Sequence, residues 1–284
     1  MLVEAEQNVS EADFTRVCDA VYRHCGINLR DGKQSLVHAR LAKRLRASRF
    51  ESLTEYLDQV LADAGGREFT ALIDALSTNL TSFYREPDHF RFLVDTALPQ
   101  VLSRKAARGD RRLRLWSAGC STGEEAYTLA MTLLDSPALS DRSAASMDVK
   151  ILATDISTNV LRTAWQGFYA AERLDTLPAG YKARFFRPAV DDDERGFTVA
   201  PDIQQMIAFR YLNLMEEWPF TGPFDFIFCR NVMIYFDKPT QQRLVNRFHD
   251  VLAPGGVLFT GHSESLTGVD HPFRYIRPTV YGKE

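Results

Sequence analysis

The hydrophobic period of this chain changes near residue 110, and no other feature limits its fold as strongly. Before that point apolar residues recur at helical spacing. Phe14, Val17, Val21 and Tyr22 follow a capping residue at Ser10, and "GIN" at 26–28 ends that stretch. A second helix is expected over about Lys33 to Ser48, and a third opens at the capping box Ser52-x-x-Glu55. A fourth starts at Arg67 with Phe69, Leu72, Ile73 and Leu76 on one side. "STNLTSFYREP" breaks the pattern, and Pro87 starts a further helix to about Arg104, since proline is tolerated in a first turn. After residue 110, strand-length apolar runs alternate with helical segments. "LRLWSA" precedes "GEEAYTLAMTLL", "VKILATDI" precedes "STNVLRTAW", and "FDFIFCRN" precedes "KPTQQRLVNRFHDVL"; "GGVLFTGH" and one last strand, "FRYIRPTVY", complete the series. Such alternation implies a mostly parallel sheet covered on both faces. The expected fold is an all-helical N-terminal domain, 1–104, followed by an α/β domain, 105–284. Between Gly167 and Ala208 the rhythm fails, and two short β-like runs flank the acidic residues 191–194. A small antiparallel insertion at about 168–207, with a solvated hairpin tip, is expected there.

Composition excludes several classes. With 45% hydrophobic, 11% aromatic and 25% charged residues over 284 positions, the chain can bury a core. The net charge of -3 gives no global attraction for nucleic acid or anionic lipid, so an electrostatic partner needs a local patch. The cysteines Cys18, Cys25, Cys120 and Cys229 form no C-x-x-C pair and read as reduced thiols. No run nears the ~18 apolar residues of a membrane span, and the first residues lack the basic and apolar regions of a signal peptide. A cytoplasmic location without membrane insertion is expected.

In open α/β sheets ligands sit beyond the carboxyl ends of the strands. The first strand ends in "AGCSTGEE", where Gly119 and Gly123 permit a tight turn. The pattern is not the G-x-G-x-x-G of a dinucleotide site, and Glu124 and Glu125 would repel a pyrophosphate while suiting a cationic or hydroxyl-bearing ligand. They serve equally as helix-dipole partners. Asp155 ends the next strand, where a carboxylate can hold ribose hydroxyls; it stands 36 residues after Gly119, beyond the usual ~20. The "DIS" there is equally a helix cap. Arg230 and Asn231 end a third strand, followed by Tyr235, and need polar partners. A competitor uses the same turn: G-x-S-x-G at 119–123, with Ser121, Asp225 and His262 in hydrolase order. That elbow normally follows several earlier strands, and no HGGG-like loop precedes this one.

Taken together, "NLTSFYRE" at 79–86, "LWSAGCSTGEEAYTLAM" at 115–131, "ILATDIS" at 151–157, "FDFIFCRNVMIYF" at 224–236 and "GGVLFTGHSESL" at 255–266 resemble the CheR family of chemotaxis receptor methyltransferases. The resemblance implies a Rossmann-like methyltransferase domain, S-adenosylmethionine as methyl donor, S-adenosylhomocysteine as product, and glutamate side chains of chemoreceptors as acceptors. By resemblance Asn79, Thr81 and Arg85 reach the cofactor from the segment joining the domains, with Arg85 beside the transferred methyl. Glu125 corresponds to the acidic contact after the glycine turn that holds Gly119, and Asp155 to the ribose-binding carboxylate. Asn213 and Leu214 correspond to the adenine side, Arg230 and Asn231 to the methionine end, and Tyr235 to the active-site tyrosine. Ala126 replaces the proline common after "GEE".

From His38 to Arg49 there are five Lys/Arg and no Asp/Glu. Arg40, Lys43 and Arg44, turned away from the Val37–Leu41–Leu45 stripe, are expected to dock the acidic signalling helices of a receptor, as the family uses this domain; a solvated helix face is the plainer account. The same basic helix could bind nucleic acid, but that leaves Glu125, Asp155 and the polar strand ends unexplained. A noncatalytic cofactor sensor would keep Asp155 without needing Arg85 and Tyr235. In some family members the β insertion captures a receptor's C-terminal tail peptide as an added strand; the sequence leaves open whether this chain does so.

Overall fold

The computed structural model describes residues 9–29, 32–63, 65–140, 147–191 and 194–284. Residues 1–8, part of the long first crossover (141–146) and the centre of the acidic run (192–193) lie outside them.

Four helices come first: α1 (Glu11–Cys25), α2 (Gln34–Arg46), α3 (Leu53–Ala62) and α4 (Arg67–Leu76). The Ser10 hydroxyl accepts from Asp13 N at 3.0 Å, and left-handed Gly26 (φ 73°) ends α1 by donating to Tyr22 O. Ser52 accepts from Glu55 N at 3.1 Å, but the Glu55 carboxylate reaches Glu51 N rather than the cap's own amide. The apolar stripes read from sequence converge: Val17, Leu41, Leu57 and Leu72 are buried in one cluster.

The helix expected from Pro87 is two helices. α5 (Asp88–Phe92) passes through a π turn, Leu93–Ala97, into α6 (Leu98–Ala107). Pro99 has no N–H to give Asp95 O, and Leu98 N bonds five residues back to Leu93 O, so the chain widens there. Phe90, Leu93, Leu98 and Val101 bury with the sheet rather than with α1–α4. The buried clusters therefore change between Leu76 and Phe83, upstream of the change of rhythm near residue 110.

The α/β part runs β1 (Arg112–Ala118), α7 (Glu124–Leu134), α8 (Pro137–Ser140), β2 (Asp148–Asp155), α9 (Thr158–Gln166), β3 (Phe168–Ala170), α10 (Tyr181–Phe185), β4 (Phe186–Asp191), β5 (Glu194–Val199), α11 (Pro201–Gln204), β6 (Ile207–Tyr211), β7 (Phe224–Cys229), α12 (Lys238–Val251), β8 (Leu252–Thr260), β9 (Arg274–Arg277) and β10 (Val280–Gly282). The main sheet has the order β6-β2-β1-β7-β8-β10-β9, parallel from β6 to β8 and antiparallel beyond. Alternate residues of β7 bury on opposite faces: Phe226 and Phe228 against α5, α6 and α7, Ile227 and Cys229 against α12. Both faces are covered, as the alternating rhythm implies.

Two details differ from the sequence reading. "FRYIRPTVY" is the hairpin β9–β10, because Pro278 cannot donate to a ladder and Thr279 turns at φ 63°. An edge strand, β6, follows the insertion where no strand was expected. The insertion itself is the antiparallel sheet β3-β5-β4. Among the described residues no helix is long and apolar enough to cross a membrane.

Candidate active site

Strand order reverses between β1 and β7, and a doubly wound sheet opens its ligand crevice at such a point. The order sets four strand ends in a row. Leu212 to Leu214 follow β6, Asp155 ends β2, the Gly119–Glu125 turn follows β1, and Arg230 with Asn231 follows β7. Three strand intervals make the row roughly 14 Å long. One cleft contains it, roofed by residues 76–82 with Arg85, by Ile27, Leu29 and Lys33 of the helical unit, and by Tyr235. Asn79, Thr81, Arg85, Gly119, Glu125, Asp155, Asn213, Leu214, Arg230, Asn231 and Tyr235 all line this cleft, while Arg40, Lys43 and Arg44 lie outside it.

Gly119 is left-handed (φ 84°), and a Cβ there would stand 2.3 Å from Val232 Cγ2; the turn after β1 passes directly under the segment after β7. Gly119 N and Cys120 N both donate to Thr154 O, at 2.8 and 2.9 Å. The Asp155 carboxylate accepts from Ser121 N at 2.8 Å and Ser157 N at 2.9 Å. Burial pushes its pKa up, and these amide bonds pull against that. Ser157 rather than Asp155 caps α9, accepting from Val160 N.

The two glutamates after the turn separate. Glu124 is fully buried, paired with Arg173 of the insertion, and accepts from Thr122 Oγ1 at 2.6 Å. Glu125 faces the cleft: it accepts from Ser117 Oγ at 2.7 Å and from Arg230 Nη1 at 3.0 Å. Arg230, its side chain 2% exposed, also donates through Nη2 to Arg85 O at 2.5 Å and to Glu86 Oε2 at 3.0 Å. Burial pushes the Glu86 carboxyl up, but the charge and hydrogen bond of Arg230 outweigh it and the net shift is downward. Glu264, also buried, accepts from Asn231 N (2.7 Å), Gly261 N (2.6 Å) and Ile234 N (3.1 Å), which fixes the turn after β7; burial pushes its pKa up. Sequence reasoning assigned neither Glu86 nor Glu264. Both stand inside the quoted motifs, but their signal is burial among donors from distant segments.

Phe83 anchors the connecting segment, buried with its ring edge-on to Tyr169 and Phe186. Tyr84 N donates to Thr128 Oγ1 at 3.2 Å, and Asn79 O accepts from Ser121 Oγ at 2.8 Å. Arg85 Nη1 reaches Leu80 O at 2.7 Å, and the Tyr235 hydroxyl lies 3.5 Å from Thr78 O. Among the described residues, five other than glycine have positive φ; Ser121 and Asn231 line this cleft, and Tyr84 and Glu86 flank Arg85, which also lines it. Backbone of that kind costs about 1–3 kcal/mol per residue and persists where neighbouring bonds enforce it.

Asn213 spends its side chain inside the fold: Nδ2 donates to His24 O at 2.6 Å and Oδ1 accepts from Met215 N at 3.0 Å. The hydrolase arrangement does not form. Ser121 Oγ is bonded to Asn79 O; Asp225 sits at the amino end of β7, held by Lys105 (2.9 Å) and Arg114 N (2.8 Å); His262 pairs with Glu86 beyond β8. A strand's length separates the acid from the serine. On α2, Arg40 donates to Leu76 O and Ser77 O and Arg44 pairs with Glu68, so both are tied to α4, while Lys43 is exposed. None of the four cysteines is in a disulfide, all are buried, and burial pushes Cys25 up to about 12.

The row reads as one elongated site. Ile27, Leu29, Ile156 and Leu212 offer apolar walls, Asp155 a buried carboxylate, and Glu125 with Arg230 an ionic end. These residues fit S-adenosylmethionine, whose base, ribose diol and charged amino-acid end need those three environments in that order. Comparison with known proteins agrees. The model for "CheR methyltransferase, SAM binding domain" matches residues 79–281, and that for "CheR methyltransferase, all-alpha domain" matches residues 12–77. A "Chemotaxis protein methyltransferase 2" of Pseudomonas aeruginosa is 42% identical over 97% of this chain and 94% of its own length. The "Chemotaxis protein methyltransferase" of Borreliella burgdorferi is 39% identical over 97% and 95%, and that of Escherichia coli 38% over 96% and 91%. A helical unit, a switch-point cleft and matches spanning both make the chain a member of the CheR family of S-adenosylmethionine-dependent methyltransferases.

Proposed function

We propose that this chain transfers the methyl group of S-adenosylmethionine to glutamate side chains of methyl-accepting chemoreceptors, giving glutamate methyl esters in the cytoplasm. The observation that carries the reading is that all eleven site residues carried over from separate family motifs line a single cleft. The presence of both Arg85 and Tyr235 there favours turnover over a noncatalytic sensor.

Asp155 would hold the ribose, the segment at Asn213 and Leu214 the adenine side, and Glu125 with Arg230 the amino-acid end. When bound, the cofactor supplies an electrophilic methyl on a sulfonium. The acceptor carboxylate, with an ordinary pKa near 4.3, is already ionised at neutral pH, so the site needs no general base. The protein's contribution is alignment and exclusion of water, and good alignment is worth about 7–11 kcal/mol. Arg85, which lines the cleft and is bonded through Nη1 to Leu80 O, would give charge-assisted hydrogen bonds to the acceptor, while Tyr235 would narrow its approach.

Incubation with labelled methyl donor and receptor fragments should yield base-labile methyl esters; none would sink the reading. Arg85→Ala should lower kcat about 10- to 100-fold while moving S-adenosylhomocysteine affinity far less. Equal losses would make Arg85 a cofactor ligand instead. Receptor docking on α2 rests on its exposed cations, Lys43 and Arg46. The open edge of β4 in the insertion supports capture of a receptor tail as an added strand.

A further inference from the structure

The carboxylate of Glu86 joins three segments: its own, the end of β7 and the end of β8. Glu86 Oε2 accepts from Arg230 Nη2 at 3.0 Å, and Oε1 accepts from Asn231 Nδ2 at 3.4 Å and His262 N at 3.3 Å. The same Arg230 Nη2 holds Arg85 O at 2.5 Å, and Nη1 holds Glu125 at 3.0 Å. Glu86 thus ties the connecting segment to the ends of β7 and β8 and, through Arg230, to the start of α7.

Arg85 lies between two left-handed residues, Tyr84 (φ 53°) and Glu86 (φ 58°). Such a backbone relaxes unless both flanks are bonded. Tyr84 is pinned on α7 by its bonds to Thr128 and Thr132. On the other flank the bonds are those of Glu86 and Arg230. Glu86, His89 and His262 also place ligand atoms within 4.8 Å of one another. However, the Glu86 oxygen nearest both imidazoles is the one that holds Arg230, so a cation there would have to displace a buried guanidinium.

We propose that Glu86 is a positioning residue for methyl transfer: by clamping Arg230, Asn231 and the His262 amide it fixes the backbone of Arg85, so that this guanidinium meets the acceptor carboxylate. It touches no reacting atom. The inference rests on the methyl-transfer reading above.

The test uses the full chain carrying Glu86→Gln, Arg85→Ala, and the two combined. Four quantities are read: kcat and KM with a receptor fragment, S-adenosylhomocysteine affinity by calorimetry, the melting temperature, and the arginine side-chain NMR signals of Arg230. Glu86→Gln is near-isosteric, so it removes the charge while keeping the packing. Glu86→Gln should lower kcat about 10- to 100-fold, with KM and cofactor affinity within about 3-fold, and shift the Arg230 signals. In the Arg85→Ala background it should cost less than about 3-fold more. Equal loss in both backgrounds, or a fall in cofactor affinity that matches kcat, would overturn the proposal. Wild-type protein that binds S-adenosylhomocysteine yet leaves the fragment unmethylated would overturn the functional reading and this proposal together.

Discussion

At the scale of single residues, the site is built from groups held where they would not rest alone. Gly119 combines positive φ with no room for a Cβ beside Val232. Gly119→Ala should therefore lose about 2–4 kcal/mol, from left-handed strain plus overpacking, and lower cofactor affinity at least about tenfold. Gly180→Ala shares the φ of 84° but has open space around it, so strain alone should cost it about 1–2 kcal/mol. Thermal melts of the two variants compare the terms directly. His89 makes a second residue-scale prediction. Burial, then the charge of Arg230, lowers its pKa to about 3, against the pull of Glu86 and with His262 and Arg277 adding to the shift. The unfolded chain takes up this proton below about 6.5 while the folded chain refuses it until about 3, so stability must fall as pH drops through that window. The melting temperature of the wild type should decline more steeply between pH 6.5 and 4.5 than that of His89→Gln; parallel curves would refute this.

At the scale of elements, the insertion and the connecting segment are fastened to the sheet by a few buried groups. Arg173 of the insertion neutralises Glu124 at the start of α7, a carboxylate with no solvent contact. Arg173→Met would strand that charge. The cost should approach, without reaching, the about 3–5 kcal/mol of a fully buried pair, because Arg173 is itself partly exposed. Adding Glu124→Gln should recover much of the loss in a denaturant melt. If the double variant is no more stable than the single, the pair does not hold the insertion. Element identity was largely legible. The stripes at Val17, Leu41, Leu57 and Leu72 bury as their spacing implies, and the residue run of β7 reads as a strand covered on both sides. The break at Pro99 and the β9–β10 hairpin were less so, since a proline inside an apolar pattern shows that regular bonding fails there but not which irregular turn replaces it.

At the scale of the whole molecule, the helical unit is docked on the catalytic one by specific bonds. Asn213 Nδ2 holds His24 O, Tyr22 OH donates to Asp237 Oδ2 at 2.5 Å, and Asn28 N donates to Tyr235 O at 2.8 Å. That arrangement sets Lys33 and Leu36, at the start of α2, in the lining of the cleft. With Arg40 and Arg44 tied to their own domain, the exposed cations of α2 are Lys43 and Arg46, on which the proposed docking rests. Reversing both, Lys43→Glu with Arg46→Glu, should raise KM for a receptor fragment several-fold at low ionic strength and progressively less as salt screens the contact, with a Debye length near 10 Å at 0.1 M. Cofactor affinity should stay unchanged. A KM that ignores both the reversal and the salt would place docking elsewhere.

Periodicity, strand-end chemistry and motif order determined, from the chain alone, the fold class, the family resemblance and the line of residues around the cleft. Those signals are local: a stripe, a cap or a glycine turn is written within a few neighbouring positions. Tertiary structure alone decided which polar groups serve the cleft and which serve the fold. Glu124 and Glu125 are adjacent and chemically identical, yet one is spent on Arg173 and the other on Arg230. Arg40 and Arg44 look like free charges in the sequence and are bonded within their domain. Glu86 gains its role from Arg230 and His262, and Glu264 from Asn231 and Ile234, all donors far away along the chain. The physical reason is that a charge's work is set by its burial and by the partner the fold brings to it, and neither is encoded at its own position.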